Sequence, residues 1–172
     1  MSTAVRVNVS TYAHTYVATN LLRSLKQLIQ GCGLSTAKLV SDWQVLENGV
    51  STWLQTGHLR GLVLEVLDPS KWSNDLVGRF DFDIDYGYYA DGDGDLWLDP
   101  DTVEFVIRKN GSYPSKCTYR FIADTAPGYP TVVGWSETTF RSTAGFVRQT
   151  AGAAMGGGSL GASLSYYART GS

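Results

Sequence analysis

Several familiar signals are missing from these 172 residues, and each absence removes a class of function. Cysteine occurs only at Cys32 and Cys117, with no CxxC, CxxH or HxxxH neighbour, so nothing points to structural zinc or a disulfide scaffold. Both thiols are expected to be buried in a reducing compartment. No apolar run approaches the roughly 20 residues that cross a bilayer. The opening Ser2-Thr3-Ala4-Val5-Arg6 lacks the basic flank and apolar stretch of a secretory signal, which makes a cytoplasmic location the expectation. Charge of one sign is scarce too: 14 basic and 16 acidic residues leave a net charge of -2. That balance gives no net pull toward nucleic acid or an anionic membrane, and neither is expected as a direct partner.

What is present suits one domain. The length fits a single core, and 43% apolar with 12% aromatic residues supplies enough surface to bury without a metal. Over residues 5–12, Val5, Val7 and Val9 alternate with Arg6, Asn8 and Ser10, the period of a strand, although a mobile arm fits equally. Val17, Leu21, Leu25, Leu28 and Ile29 then recur at helical spacing until Gly31-Cys32-Gly33 ends the run. A short helical turn is expected from Ser35 to Val40. Ser41 with Gln44 reads as a capping box for a second long helix, whose buried stripe is Trp43, Leu46, Val50, Trp53 and Leu54, ending at Gly57.

Beyond Gly57 the period becomes two. Leu62, Leu64 and Val66 alternate with Val63, Glu65 and Leu67, a strand apolar on most of both faces and therefore placed inside a sheet. The next strand carries Phe80, Phe82, Ile84, Tyr86 and Tyr88 on one face and Asp81, Asp83 and Asp85 on the other. After an Asp-Gly loop, Asp99 caps a third helix with Pro100 at its first position and Val103, Val106 and Ile107 inward, ending at Asn110-Gly111. A strand from Lys116 to Thr125 follows, with Cys117, Tyr119, Phe121 and Ala123 inward. The last third then loses its period: Trp135, Phe140 and Phe146 are spread among Ser, Thr, Gly and Arg. Between Ala151 and Gly161, five of eleven residues are glycine, a composition expected to resist fixed structure. Alternation returns at Leu160, Ala162, Leu164 and Tyr166. The fold class implied is α+β, a mainly antiparallel sheet packed against about three helices.

Motifs for chemistry are few. Asp91, Asp93 and Asp95 have the spacing that opens a calcium loop, but the twelfth position is Thr102 where a glutamate is needed, so a solvated connection is expected. Asp81, Asp83 and Asp85 lie about 7 Å apart on one strand face, as paired hydrolytic carboxylates can, yet they occupy the polar side of an amphipathic strand and are expected to be solvated. Gly156-Gly157-Gly158 precedes no Lys-Ser/Thr and opens no helix, so it does not cradle phosphate. His14 and His58 are the only histidines, and neither sits in a motif that would make it a general base. No catalytic group, metal ligand or cofactor site is assigned, and the chain is expected not to be an enzyme. The aromatic-studded tail is either a loop packed over one sheet edge or a strap able to dock in two places, its rings restoring burial at each.

Three strings carry a resemblance: His14-Thr15-Tyr16-Val17 on to Leu25-Lys26; Lys38-Leu39-Val40-Ser41-Asp42-Trp43-Gln44-Val45-Leu46-Glu47 with Ser51-Thr52-Trp53-Leu54; and Gly134-Trp135 with Thr139-Phe140-Arg141-Ser142-Thr143-Ala144-Gly145-Phe146-Val147. Together they resemble the bacterial HORMA-domain family of cyclic-oligonucleotide anti-phage defence (CBASS) operons. The resemblance implies a HORMA domain over 1–172, with an N-terminal arm at 1–12, a core at 13–125 and a C-terminal safety belt at 126–170. It implies a peptide-sensing switch. The belt wraps a closure-motif peptide that adds a strand to the core sheet, and the closed form binds and activates a CD-NTase-type cyclic-oligonucleotide synthase. A ring AAA+ ATPase, related to the eukaryotic checkpoint remodeller, reopens it through the N-terminal region. Carried onto this sequence, the peptide-binding residues are Tyr119, Phe121, Ala123, Trp135, Phe140 and Phe146, and the arm offers Ser2, Val5, Val7 and Val9 to the ATPase. The competing expectations are a hydrolase built on the acidic strand and a non-catalytic structural or adhesion domain.

Limited proteolysis separates these expectations. A strap is cut readily in the absence of peptide and protected in its presence, whereas a permanently packed tail resists cutting with or without peptide.

Overall fold

Val17, Leu21, Leu25 and Leu28 stack along one stripe of α1 (Ser2–Gly31), and all four are fully buried. The computed structural model describes residues 2–70, 75–87 and 96–170, with side chains described from Ala13 onward. The helix ends as its Gly-Cys-Gly run requires. Gly33 takes φ +82°, its N–H reaches the Gln30 carbonyl at 3.1 Å and the Leu34 N–H reaches that of Ile29 at 2.9 Å, the paired bonds of a Schellman stop. The strand or arm expected at residues 5–12 is instead the first part of α1. Val5 and Val9 also lie four residues apart, a spacing that helix and strand periods share, and a helix already nucleated further along extends cheaply through β-branched residues.

Helix α2 (Ala37–Ser41) is a single turn leading to α3 (Trp43–Gln55). The expected capping box does not form: Ser41 belongs to α2, Asp42 occupies the cap position without a side-chain bond, and the Gln44 amide donates to Asn48 at 2.9 Å. With only Asp42 separating the two helices, Ser41 lacks the extended geometry that a capping hydroxyl needs. The buried stripe of α3 is Leu46, Val50, Trp53 and Leu54, with Trp43 partly buried beside it. In α4 (Pro100–Asn110) the cap is as expected, the Asp99 carboxylate accepting from the Asp101 N–H at 3.0 Å.

Six strands form one antiparallel sheet in the order β3-β5-β6-β2-β1-β4. They are β1 (Leu59–Asp68), β2 (Asp75–Asp85), β3 (Trp97–Leu98), β4 (Thr118–Thr125), β5 (Phe146–Gly157) and β6 (Leu160–Arg169). Strand β1 is interior, as its apolar faces require. It pairs with β2 through Leu64↔Phe80 and with β4 through Leu64↔Phe121. Leu62, Leu64, Val66, Phe80 and Phe82 pack with the helices in the main core. The opposite face presents Val63, Glu65 and Asp81, all buried, because the chain following β4 crosses over it.

The glycine-rich stretch at 151–161 is not loosely structured. It forms the end of β5 and a tight turn into β6, with Gly157 paired to Leu160 and Gly158 at φ +61°. Here glycine answers a need for space: a Cβ on Gly156 would lie 2.6 Å from the Leu160 carbonyl and 2.7 Å from the Trp97 indole nitrogen. Asp91, Asp93, Asp95 and Tyr88 lie outside the described residues.

Gly156→Ala is therefore expected to destabilise the fold by about 1–3 kcal/mol, read as a lower urea midpoint. An unchanged midpoint would mean that β3 and the hairpin do not pack this closely.

Candidate functional site

Residues 126–145 contain neither helix nor strand, yet they leave β4 at one edge of the sheet and deliver β5 beyond β2 on the other side. They must cross the sheet, and two anchors fix the crossing. The first is on α3. Trp53 meets Tyr129 edge-on at 5.9 Å and Trp135 at 5.0 Å, and its indole N–H donates to the Pro130 carbonyl at 2.7 Å. The Trp135 indole donates to the Val45 carbonyl at 2.8 Å and lies so close to Gly49 that any side chain there would collide with the ring.

The second anchor is ionic. Glu65, 0% exposed on β1, accepts from Arg120 Nε at 2.6 Å and from the Arg141 backbone N–H at 2.8 Å. Arg120 in turn donates to the Thr138 hydroxyl at 3.1 Å and the Thr139 carbonyl at 2.6 Å, so one carboxylate and one guanidinium clasp the crossing segment to the sheet. Beside them Asp81 takes a bidentate pair from Arg79 at 2.7 and 3.0 Å, with the Tyr167 hydroxyl donating at 3.3 Å. Phe140 covers the Arg79 guanidinium at 4.6 Å and Tyr167 lies at 4.8 Å from it. Asp81 is thus buried and paired rather than solvated; the acidic face expected to meet water lies under the crossing chain. Asp83 keeps the expected exposure and pairs with Arg148 from β5.

Between the two anchors lies a cavity of about 350 Å³ that wraps the outer edge of β4. Phe121 and Ala123 line it from the helix side and Ile122 from the other, with Trp53, Trp135 and Phe140 among the facing residues. Among the described residues no strand pairs along that edge. Lys38 Nζ donates to the Tyr119 carbonyl at 2.7 Å on the side away from β1, so antiparallel alternation turns the N–H and C=O of Phe121 and Ala123 away from β1, toward the cavity. The arrangement offers backbone hydrogen bonds along a strand edge and aromatic walls on either side, the means to hold an extended chain.

Of the residues singled out from sequence, Phe121, Ala123, Trp135 and Phe140 come together here. Tyr119 does not line the cavity: its hydroxyl donates to the Ser35 carbonyl at 2.6 Å beneath α2. Phe146 begins β5, packed by the Arg169 guanidinium at 4.9 Å. Ser2, Val5, Val7 and Val9 fall in the first turns of α1. Glu65, Arg79 and Arg120 were missed; a lone charge in a strand apolar on both faces was the available signal at Glu65. Gly157-Gly158-Ser159-Leu160-Gly161 spells a nucleophile elbow, G-x-S-x-G, but it turns from strand to strand where an elbow turns from strand to helix. Both cysteines are buried and unpaired, and burial pushes the Cys32 thiol up to about 11, with the Asn110 amide offsetting part of the shift. No group of metal-binding side chains occurs among the described residues, and no helix among them is long and apolar enough to cross a membrane.

Comparison with known proteins bears on this geometry. The profile of a family described as bacterial HORMA domain 2 matches residues 2–170. The fold is similar to that of C. elegans HTP-2 bound to HTP-3 closure motif 1, with 17% identity, a TM-score of 0.56 and coverage of 78% of this chain and 68% of that one. It is similar to a chain of the mitotic checkpoint complex at 10% identity and a TM-score of 0.55, covering 77% and 74%. It is also similar to a chain of the E. coli MS115-1 CdnC:HORMA-deltaN complex at 11% identity and a TM-score of 0.50, covering 90% and 86%. No curated protein matched the sequence.

Removing the clasp tests its weight. Glu65→Ala would leave Arg120 and the Arg141 N–H without their buried acceptor. About 3 kcal/mol of stability should be lost, the low end for a broken buried pair because Arg120 reaches solvent. Trypsin should also cut faster after Arg141. Wild-type stability and cutting would show that the crossing segment is held elsewhere.

Proposed function

The chain belongs to the bacterial HORMA domain 2 family, and from that membership we propose that it is a peptide-sensing switch whose crossing segment, residues 126–145, closes over a captured peptide. The fold is α+β and HORMA-like. The observation that carries the reading is the cavity around the open edge of β4, bounded by a segment anchored on both sides. A peptide laid there would sit about 4.8 Å from β4, bonding Phe121 and Ala123 through its backbone. Its side chains would meet Trp53, Trp135 and Phe140.

Residues 126–170 act as the safety belt and residues 13–125 as the core in this reading. Entry needs the belt to lift, and the clasp then re-forms over the peptide, so release is slow. Closed and loaded, the chain binds and activates a CD-NTase-type cyclic-oligonucleotide synthase in anti-phage defence. Its similarity to a chain of the CdnC:HORMA-deltaN complex supports this, as the closure-motif complexes support peptide capture. A ring AAA+ ATPase gripping the start of α1, at Ser2, Val5, Val7 and Val9, reverses closure. The role is binding, in the cytoplasm, and not catalysis.

A random peptide library displayed on phage and panned against the chain tests the capture step. Enrichment of extended sequences with alternating apolar residues is expected, and the best of them should bind Trp135→Ala at least about tenfold more weakly while the core stays folded. A library that yields nothing, or a peptide bound equally well by Trp135→Ala, overturns the assignment. Adding that peptide should raise product formation by a co-purified synthase, and a synthase indifferent to it removes the signalling step.

A further inference from the structure

The charged side chains that line the cavity are of one sign. Aromatic rings form much of the lining, and the two charged side chains among the lining residues are both carboxylates, Asp124 and Glu137. Asp124 belongs to β4 and has a partial counter-charge in Arg60 at 3.0 Å, but Arg60 is 57% exposed and such surface pairs contribute little. Glu137 lies on the crossing segment. Its carboxylate accepts from the Tyr129 hydroxyl at 3.1 Å, a neutral donor, and that bond holds the Tyr129 phenol above its ordinary pKa. No ion pair at Glu137 is formed among the described residues.

A guest with an acidic side chain at this place would meet two like charges, whereas a basic one would meet opposite charge beside the aromatic rings of Tyr129 and Trp135. Resting on the capture reading above, we propose that the captured peptide carries a lysine or arginine beside its apolar anchors, received between Asp124 of β4 and Glu137 of the crossing segment. The placement of the two carboxylates makes this more than added affinity. One sits on the core and the other on the belt, so the cation of the guest ties the belt to the sheet. Glu137 is thereby a specificity-determining residue that reads charge in the closed arrangement.

The test is a selection from a phage-displayed library of random dodecapeptides, run in parallel on the wild-type chain and on Glu137→Gln and Glu137→Lys. Wild-type winners should share a lysine or arginine at a fixed spacing from their apolar residues. Their affinity should fall about fivefold in Glu137→Gln, the size of one exposed ion pair, and further in Glu137→Lys. Exchanging the basic residue of a winner for glutamate should restore binding to Glu137→Lys, a result that loss of fold cannot produce. High salt should weaken wild-type binding more than binding to Glu137→Gln. Winners without a basic preference, or with affinities indifferent to both substitutions, overturn this inference and leave peptide capture standing. A selection without winners overturns both.

Discussion

A buried carboxylate in an interior strand of a sheet costs several kcal/mol unless its oxygens are satisfied, and Glu65 is fully buried in β1. Its partners are Arg120 from β4 and the backbone N–H of Arg141. That second partner lies about twenty residues along the chain, so satisfying the charge requires the segment after β4 to lie across the sheet. The course of the carboxy-terminal third follows from this constraint. Once Thr138, Thr139 and Arg141 are held at Glu65 and Arg120, the hairpin of β5 and β6 is delivered to β2, and β4 is left with an open outer edge.

In the proposed switch, the same constraint is what would let the segment move as a unit. Much of its hold on the sheet is polar and concentrated at one place, while its hold on α3 comes from three rings, Trp53, Tyr129 and Trp135, and two indole hydrogen bonds. A polar clasp has directional bonds that would be lost together if the segment lifted, in contrast to an apolar contact that slides. Both anchors border the cavity. A guest strand there adds backbone hydrogen bonds to an edge that is otherwise an invitation to aggregation. Closing on a peptide, as proposed, would thus cover an edge that the fold leaves open.

Periodic elements were legible in the sequence and the clasp was not. The stripes of α1, α3 and α4, the interior position of β1 and the cap at Asp99 follow from spacing alone, because each is a local pattern with a local cause. The alternation of β2 was read correctly, but the surroundings of its acidic face were not: whether Asp81 meets water depends on Arg79, Phe140 and Tyr167, which distant parts of the chain supply. The glycines near Gly156 were misread as a source of mobility because composition does not distinguish a glycine required for freedom from one required for lack of room. Residues 5–12 were misread because a spacing of four satisfies both periods. In the site, the aromatic anchors Trp135 and Phe140 stood out against a polar segment, while Glu65 and Arg120 are legible only once β1 and β4 are known to be neighbours.

The central claim is that the outer edge of β4 receives a guest strand beneath the belt, and backbone hydrogen exchange at single residues tests it most directly. With a peptide selected from a random library bound, the Phe121 and Ala123 amides should become strongly protected, while those of Arg120 and Ile122, already turned toward β1, should change little. Uniform protection across β4, or none at Phe121 and Ala123 while the peptide is bound, would contradict the account.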